Sequence, residues 1–341
     1  MNIVTIDAGT TNTRSCVWRH GKMIAQSALE VGVRATAIDG NTQALKQAVR
    51  DSIGGALALA GVDPADVALV LASGMITSAM GLFELPHLVA PAGLEQLAQG
   101  MLRCDMPDVF CQPLWFIPGV RNRVDAVGLH NHEAMDMMRG EETEVMGLLA
   151  RLDLAGPGSP AMLIMPGSHT KLVSIDDQGR IAGCATTLAG ELLQVITQGT
   201  LISQSLGAAF AHTFLPEMVL AGAHAAQTTG LARACFSVRT LALFTEVQRE
   251  ERANFLLGAV LCGDVLALKN SSAIQMRPDT TIVITGKSML RSALALLIGE
   301  NGFFYGPRSV VNDEQQADLA GFGALAIAQA RGLIPTNTET S

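Results

Sequence analysis

The chain has 341 residues, 49% of them hydrophobic and 16% charged, with a formal net charge of −8. That length suggests two domains, each large enough for its own core, and that composition excludes a disordered chain. An acidic balance without any run of Lys or Arg excludes a surface for nucleic acid or anionic membrane, so any phosphate must be held locally by backbone groups and a few cations.

The first predicted element is a strand, Ile3-Val4-Thr5-Ile6, closed by Asp7. A turn rich in Gly and hydroxyls follows, Gly9-Thr10-Thr11-Asn12-Thr13 with Arg14, and then two more strands, Ser15–Trp18 and Lys22–Val31. Strand, turn, strand, turn, strand is an antiparallel meander. Leu45, Ala48, Val49 and Ile53 then recur at helical spacing over residues 41–60, and a buried strand, Val67–Ala72, ends in Ser73-Gly74, which completes a β-α-β unit. Residues 86–93 read as a loop, and Phe116-Ile117-Pro118-Gly119 ends another strand. Glu141, Glu142 and Glu144 open a helix, where acids complement the helix dipole. Breakers concentrate at residues 154–160, the best place for a linker.

Beyond them the opening plan returns. Met162–Met165 reads as a strand, Pro166-Gly167-Ser168-His169-Thr170-Lys171 as a Gly/hydroxyl turn, and Leu172–Asp176 and Arg180–Gly183 as the next strands. A repeat at the start of each half implies two domains built on one pattern. Helical stretches follow at 188–210, 216–232 and 241–269, then a strand Thr281–Thr285 ending in Gly286-Lys287, a strand near 308–311 and a last helix over 313–331. The helices of the second half are apolar enough to support a homodimer.

The six cysteines (Cys16, Cys104, Cys111, Cys184, Cys235, Cys262) form no Cys-x-x-Cys pair, and His132, His169, His212 and His224 have no metal-ligand spacing. Reduced thiols in a cytoplasmic protein are expected. The first strand starts too near residue 1 to leave room for a signal peptide. The apolar windows 67–83 and 282–298 are interrupted by polar residues, Lys287 and Arg291 among them, and do not read as membrane spans.

A hairpin turn of Gly and Thr can aim backbone N–H groups and hydroxyls at one point, a nest suited to phosphate oxygens, with Arg14 or Lys171 adding fixed charge. Asp7 beside such a nest would repel phosphate unless a cation lay between them; Mg2+ suits that position, and an Asx-type cap of the turn is the alternative use of Asp7.

The D-x-G-T-T-N-T-R opening (residues 7–14), the G-S-H-T-K hairpin (167–171) and the late I-T-G-K turn (284–287) together resemble the sugar kinase, heat-shock chaperone ATPase and actin superfamily. More narrowly, ASGMITSAMGLFELPHLVAPAG, FIPGVRN, MRGEETEVMGLL, MPGSHTKLVSID and TTLAGELLQVITQGTL are similar to segments of the 2-dehydro-3-deoxygalactonokinase family. The resemblance implies an α/β fold of two ribonuclease-H-like (actin-like ATPase) domains with a nucleotide cleft between them. Residues 1–152 would form the N-terminal domain and 153–341 the C-terminal one, the last helix returning to the interdomain region. It also implies ATP and Mg2+ as cofactors and a keto-deoxy sugar acid as the small-molecule partner.

On that resemblance Asp7, Gly9, Thr10, Thr11, Asn12 and Arg14 face Gly167, Ser168, His169, Thr170 and Lys171 across the nucleotide, with Asp7 on the metal. Gly286 and Lys287 take the place of an adenosine turn that usually has two glycines, and Gly190-Glu191 meets the nucleotide as well. Glu141, or else Glu142, stands where related kinases have the Asp of a Gly-Asp-Gln segment as base. A sugar acid needs a guanidinium and hydroxyl partners; Ser73, Gly74, Met75, Thr77, Ser78, Glu84, Arg121, Asn122 and Arg139 fill that part. The competing classes are an exopolyphosphatase-type hydrolase, which would want a basic channel, and an actin- or chaperone-like ATP switch, which would want further insertions.

Overall fold

The computed structural model describes residues 1–153, 158 and 160–335. Most of the expected linker, residues 154–157 and 159, lies outside the described residues, and the expected boundary at 152/153 abuts it. The first half runs β1 (Asn2–Ala8), β2 (Thr13–Arg19), β3 (Lys22–Leu29), α1 (Val33–Asp39), α2 (Gln43–Ala60), β4 (Val67–Gly74), β5 (Leu88–Val89), α3 (Leu94–Gly100), β6 (Leu102–Cys104), β7 (Leu114–Phe116), β8 (Val120–Arg121), β9 (Met137–Met138) and α4 (Glu141–Arg151). The second runs β10 (Ala161–Met165), β11 (Thr170–Ile175), β12 (Ile181–Thr187), α5 (Ala189–Gly199), α6 (Ser203–Leu206), α7 (Pro216–Thr229), α8 (Leu231–Phe244), α9 (Arg249–Asn270), β13 (Thr281–Ile284), α10 (Ser288–Glu300), β14 (Arg308–Val310) and α11 (Leu319–Ala330).

The internal repeat is a repeat of topology. The first sheet is ordered β3-β2-β1-β4-β7-β6 and the second β12-β11-β10-β13-β14. In each, an antiparallel meander is extended by parallel strands: β1 pairs with β4 and β4 with β7, just as β10 pairs with β13 and β13 with β14. This two-domain actin-like architecture agrees with the expected fold class. A small third sheet, β5-β8-β9, belongs to the first half.

Strand alternation decides which side chains meet between the halves, because successive residues point to opposite faces of a sheet. On β1, Val4, Ile6 and Ala8 pack with Leu45, Val49 and Ile53 of α2 on the outer face, while Ile3 joins a core shared by the two halves. Thr5 and Asp7 are in phase with Ile3. On β2, Cys16 and Trp18 lie in the shared core, so Arg14 is in phase with them. On β10 and β11 the same rule sends Leu163, Met165, Val173 and Ile175 inward and Met162, Ile164 and Leu172 outward onto α9 and α10. Lys171 is in phase with Val173. Asp7, Arg14 and Lys171 therefore share the interdomain side by period alone.

Helices α4 and α11 pack against each other within that shared core, and α11 also reaches β1 and β4. The last helix is shorter than its expected span of 313–331. The Gln316 side chain accepts from Gly286 N at 2.7 Å and donates to Gly286 O at 3.1 Å, and Asp318 takes a left-handed conformation with φ 55°, so helix geometry starts only at Leu319. The stretch expected at 216–232 breaks at Gly230, φ 83°, and that at 241–269 breaks between Phe244 and Arg249, where a Gln248/Glu251 capping box starts α9. α9 is long and apolar enough to cross a membrane by length and composition, yet 72% of its apolar window is buried inside the second half.

Candidate active site

Three cavities adjoin in a row along the junction of the halves. The middle one, about 460 Å³, lies between the two hairpins and is lined by Asp7, Arg14 and Ser73 from the first half, by Gly167, Ser168, His169, Lys171 and Gly286 from the second, and by Glu141, Glu144, Gln316 and Asp318. On one side it shares Gly167 and Ser168 with a mainly apolar pocket of about 410 Å³ formed by Gly190, Leu193, Gln194, Thr197, Phe210, Leu256, Leu257, Lys287 and Leu290. On the other it shares Asp7, Glu141, Glu144, His169 and Lys171 with a cavity of about 660 Å³ that includes Gly9, Thr10, Gly74, Met75, Ser78, Glu84, His87, Met137 and Arg139.

Each hairpin is braced from behind. Gly9 N donates to Asn12 O at 2.8 Å, and the carbonyls of Gly9 and Thr10 accept from Val33 N and Arg34 N at 3.1 and 2.9 Å, which seats the first turn on the start of α1. In the second, Ser168 O accepts from Glu191 N at 2.9 Å, and a Cβ on Gly190 would stand 2.0 Å from Gly167 O, so only glycine lets α5 come this close. Thr10, Ser168 and His169 remain exposed, and His169 Nε2 sits 3.1 Å from Glu191 Oε1.

The acids of α4 divide by direction. Glu141 and Glu144 are one helical turn apart, hence on one face, and both line the middle cavity and the neighbouring one that holds Arg139. Glu142 turns back, accepting from Gly140 N with both oxygens at 3.0 and 2.8 Å, and is fully buried. Burial pushes its pKa up to about 8, with the Glu141 charge adding to the effect. Burial, then Asp7 and Glu141, push Glu144 to about 8 as well. Asp7 is also raised, chiefly by burial, with Arg14 opposing and Glu141 adding.

The middle cavity thus presents Asp7, Glu141, Glu144 and Asp318 against Arg14 and Lys171. A divalent cation among these carboxyl groups would let the cavity take a polyphosphate. Among the described residues no three His, Cys, Asp or Glu side chains stand close enough to hold an ion by themselves.

In the 660 Å³ cavity, Arg139 spans the loop after β4. Its Nη1 donates to Thr77 O and Oγ1, both at 2.6 Å, its Nη2 to Leu85 O at 2.9 Å, and Nη2 lies 3.2 Å from His87 Nδ1. His87 is held neutral, its pKa lowered to about 4 by burial and by Arg139, Arg121 and Lys171. Lys171 Nζ donates to Met137 O at 2.8 Å and to Thr186 Oγ1 at 2.7 Å, which ties the second hairpin to the first half.

The geometry reassigns several expected residues. Asn122 is buried, its amide NH2 directed at the carbonyls of Ala134, Cys184 and Ala273 and its Oδ1 accepting from Cys184 N, so it braces the interface. Thr170 is buried and its hydroxyl points to Asp264, 2.8 Å away. Glu142 serves the loop as described. Thr11 and Asn12 bond each other at the turn tip, Arg121 donates to Asn122 O at 3.3 Å, and none of these lines the three cavities. His132, His212 and His224 do not line them either. Glu144, Gln316, Asp318, His87 and the apolar pocket were not foreseen. Only Glu144 had a signal, its i+3 spacing from Glu141.

Comparison with known proteins gives the family and the fold. Residues 7–323 match the model of the family described as 2-keto-3-deoxy-galactonokinase. A Rhizobium meliloti (strain 1021) protein named "Probable 2-dehydro-3-deoxygalactonokinase DgoK1" is 29% identical over 269 residues, 79% of this chain and 76% of its own. The crystal structure of a candidate 2-dehydro-3-deoxygalactonokinase from Sinorhizobium meliloti superposes with a TM-score of 0.72 over 96% of this chain and 98% of that one, at 22% identity.

Proposed function

Because the chain belongs to the 2-keto-3-deoxy-galactonokinase family and is a kinase of a small sugar, we propose that it transfers the terminal phosphoryl group of ATP to the C6 hydroxyl of 2-dehydro-3-deoxy-D-galactonate, giving the 6-phosphate and ADP, in galactonate catabolism in the cytoplasm. The single observation that carries this reading is the continuity of the three cavities, the first lined mostly by apolar side chains, the second reaching the Gly167 turn and Asp7, and the third reaching the Gly9–Thr10 turn and the Arg139 guanidinium. Adenosine lies in the first beside Gly286 and Lys287, the triphosphate passes Gly167–Ser168 and Gly9–Thr10, and the sugar acid occupies the third.

In this reading the chain contributes position and charge, which dominate phosphoryl transfer. Glu141 accepts the proton of the attacking hydroxyl, since it faces both the donor and acceptor cavities and its Oε2 is oriented by Arg139 N at 3.0 Å. Arg14 and Lys171 balance charge on the transferring group. The Arg139 guanidinium, braced by Thr77 and Leu85, supplies a local positive charge for the substrate carboxylate, and Ser78 and Glu84 are within that cavity for its hydroxyls. Asp7, with Glu144 beside it, would hold Mg2+, which when bound neutralises phosphate charge next to the carboxylates. The acidic middle cavity tells against an exopolyphosphatase-type channel. A coupled ADP-release assay across sugar acids and neutral sugars tests the proposal: turnover confined to the keto-deoxy acid is expected, and equal ADP release without any acceptor overturns it.

A further inference from the structure

Asp264 lies on α9, a long helix with an extended apolar stretch, and is 2% exposed. Its neighbours along the helix, Leu261, Cys262 and Val265, are buried core residues, and among the described residues no cation pairs with it. A buried carboxylate in such surroundings is unfavourable unless its oxygens are bonded. Both are: Oδ2 accepts from Thr170 Oγ1 at 2.8 Å and Oδ1 from Thr187 Oγ1 at 2.5 Å. Burial raises its pKa while the two hydroxyls pull it down.

The identity of the two partners gives the contact its meaning. Thr170 and Thr187 are cross-strand neighbours, the first residue of β11 and the last of β12. Thr170 leaves the Gly167–His169 turn, and Thr187 leads into the start of α5, whose Gly190 and Glu191 close on that turn. The same helix α9 contributes Ala253, Leu256 and Leu257 to the apolar pocket. We propose that Asp264 is a positioning residue for the nucleotide. It anchors the start of β11, which leaves the second glycine turn, and the end of β12, which leads into α5, to the helix that floors the apolar pocket, and so sets the distance between the phosphate turn and the adenosine site. This assignment rests on the kinase reading above.

The test measures ATP binding by calorimetry without acceptor, together with KM for ATP and for the sugar acid, in wild type, Asp264→Asn, Thr170→Val and Thr170→Ser. Asp264→Asn is expected to weaken ATP binding and raise its KM by about tenfold, with the sugar-acid KM within about twofold. Thr170→Val should shift the same way by about threefold, Thr170→Ser should recover the wild-type value, and the double variant Asp264→Asn/Thr170→Val should be no worse than Asp264→Asn alone. Unchanged ATP affinity in both Asp264→Asn and Thr170→Val, or an equal rise in both KM values, overturns the proposal. Should Asp264→Asn not fold, the Thr170 pair decides by the same readings. Wild type that fails to bind ATP at all would instead sink the kinase reading.

Discussion

Asp7 and Glu141 both line the middle cavity; Asp7 stood out in the sequence because it ends an apolar strand, whereas Glu141 was set ahead of Glu142 only by the resemblance, since both open the same helix. Their partner Glu144 was harder to see, since an acid in a first helical turn looks the same whether it faces solvent or a cavity, and only packing distinguishes the two. Glu141→Gln should lower kcat by roughly 10²- to 10⁴-fold with little change in either KM, as steady-state kinetics would measure; an activity loss confined to Glu144→Gln would move the base one turn along α4. Glu142 supplies a different test. Its pKa is raised from 4.5 to about 8, so its contribution to stability is complete below about 4.5 and lost as pH rises through about 8. Glu142→Gln keeps an acceptor for Gly140 N but removes the ionisation, and should stabilise the protein at pH 8.5 relative to pH 5 by on the order of 2 kcal/mol compared with wild type. Thermal melts at the two pH values measure this, and an unchanged pH slope of Tm contradicts it.

Among the elements, those with a clean period were legible: the meanders, the strand pattern that turns Arg14 and Lys171 inward, and helix α2. Helix ends were not, because they depend on contacts distant in sequence, such as Gln316 reaching Gly286 to delay α11. The apolar pocket also escaped notice, since Leu193, Leu256, Leu257 and Leu290 have the spacing of ordinary core residues. Helix α5 depends on Gly190, where a methyl group would displace the Gly167 carbonyl. Gly190→Ala is therefore expected to raise KM for ATP roughly ten- to hundredfold while leaving the sugar-acid KM nearly constant. The α4–α11 crossing is equally tight, a Cβ on Gly323 falling 1.8 Å from Thr143 O. Gly323→Ala should destabilise by about 1–3 kcal/mol in urea unfolding, and a cost near zero would mean the helices do not approach as described.

At the scale of the molecule, the repeat announced two sheets but said nothing of how firmly they are joined. The shared core runs from Ile3 and Trp18 through Leu148 and Leu163 to Ile327, and polar bonds add to it: Ala92 exchanges backbone bonds with Ile181, Asn122 bonds Cys184 and Ala273, Asp136 accepts from Thr186, and Glu133 accepts from Ser271 and Ser272. All of these tie the small sheet and its flanking loops to the second half. Cooperative unfolding of the whole chain is expected, a single calorimetric transition, where two separated transitions would show independent domains. The central claim is that one triphosphate is gripped from both halves. A crystal structure with a non-hydrolysable ATP analogue, Mg2+ and the keto-deoxy sugar acid tests it most directly. The account predicts adenine beside Phe210 and Leu290, the terminal phosphate between the Gly9–Thr10 and Gly167–Ser168 turns, and the acceptor hydroxyl facing Glu141. A triphosphate touching only one of the two turns, or lying outside the middle cavity, would contradict it.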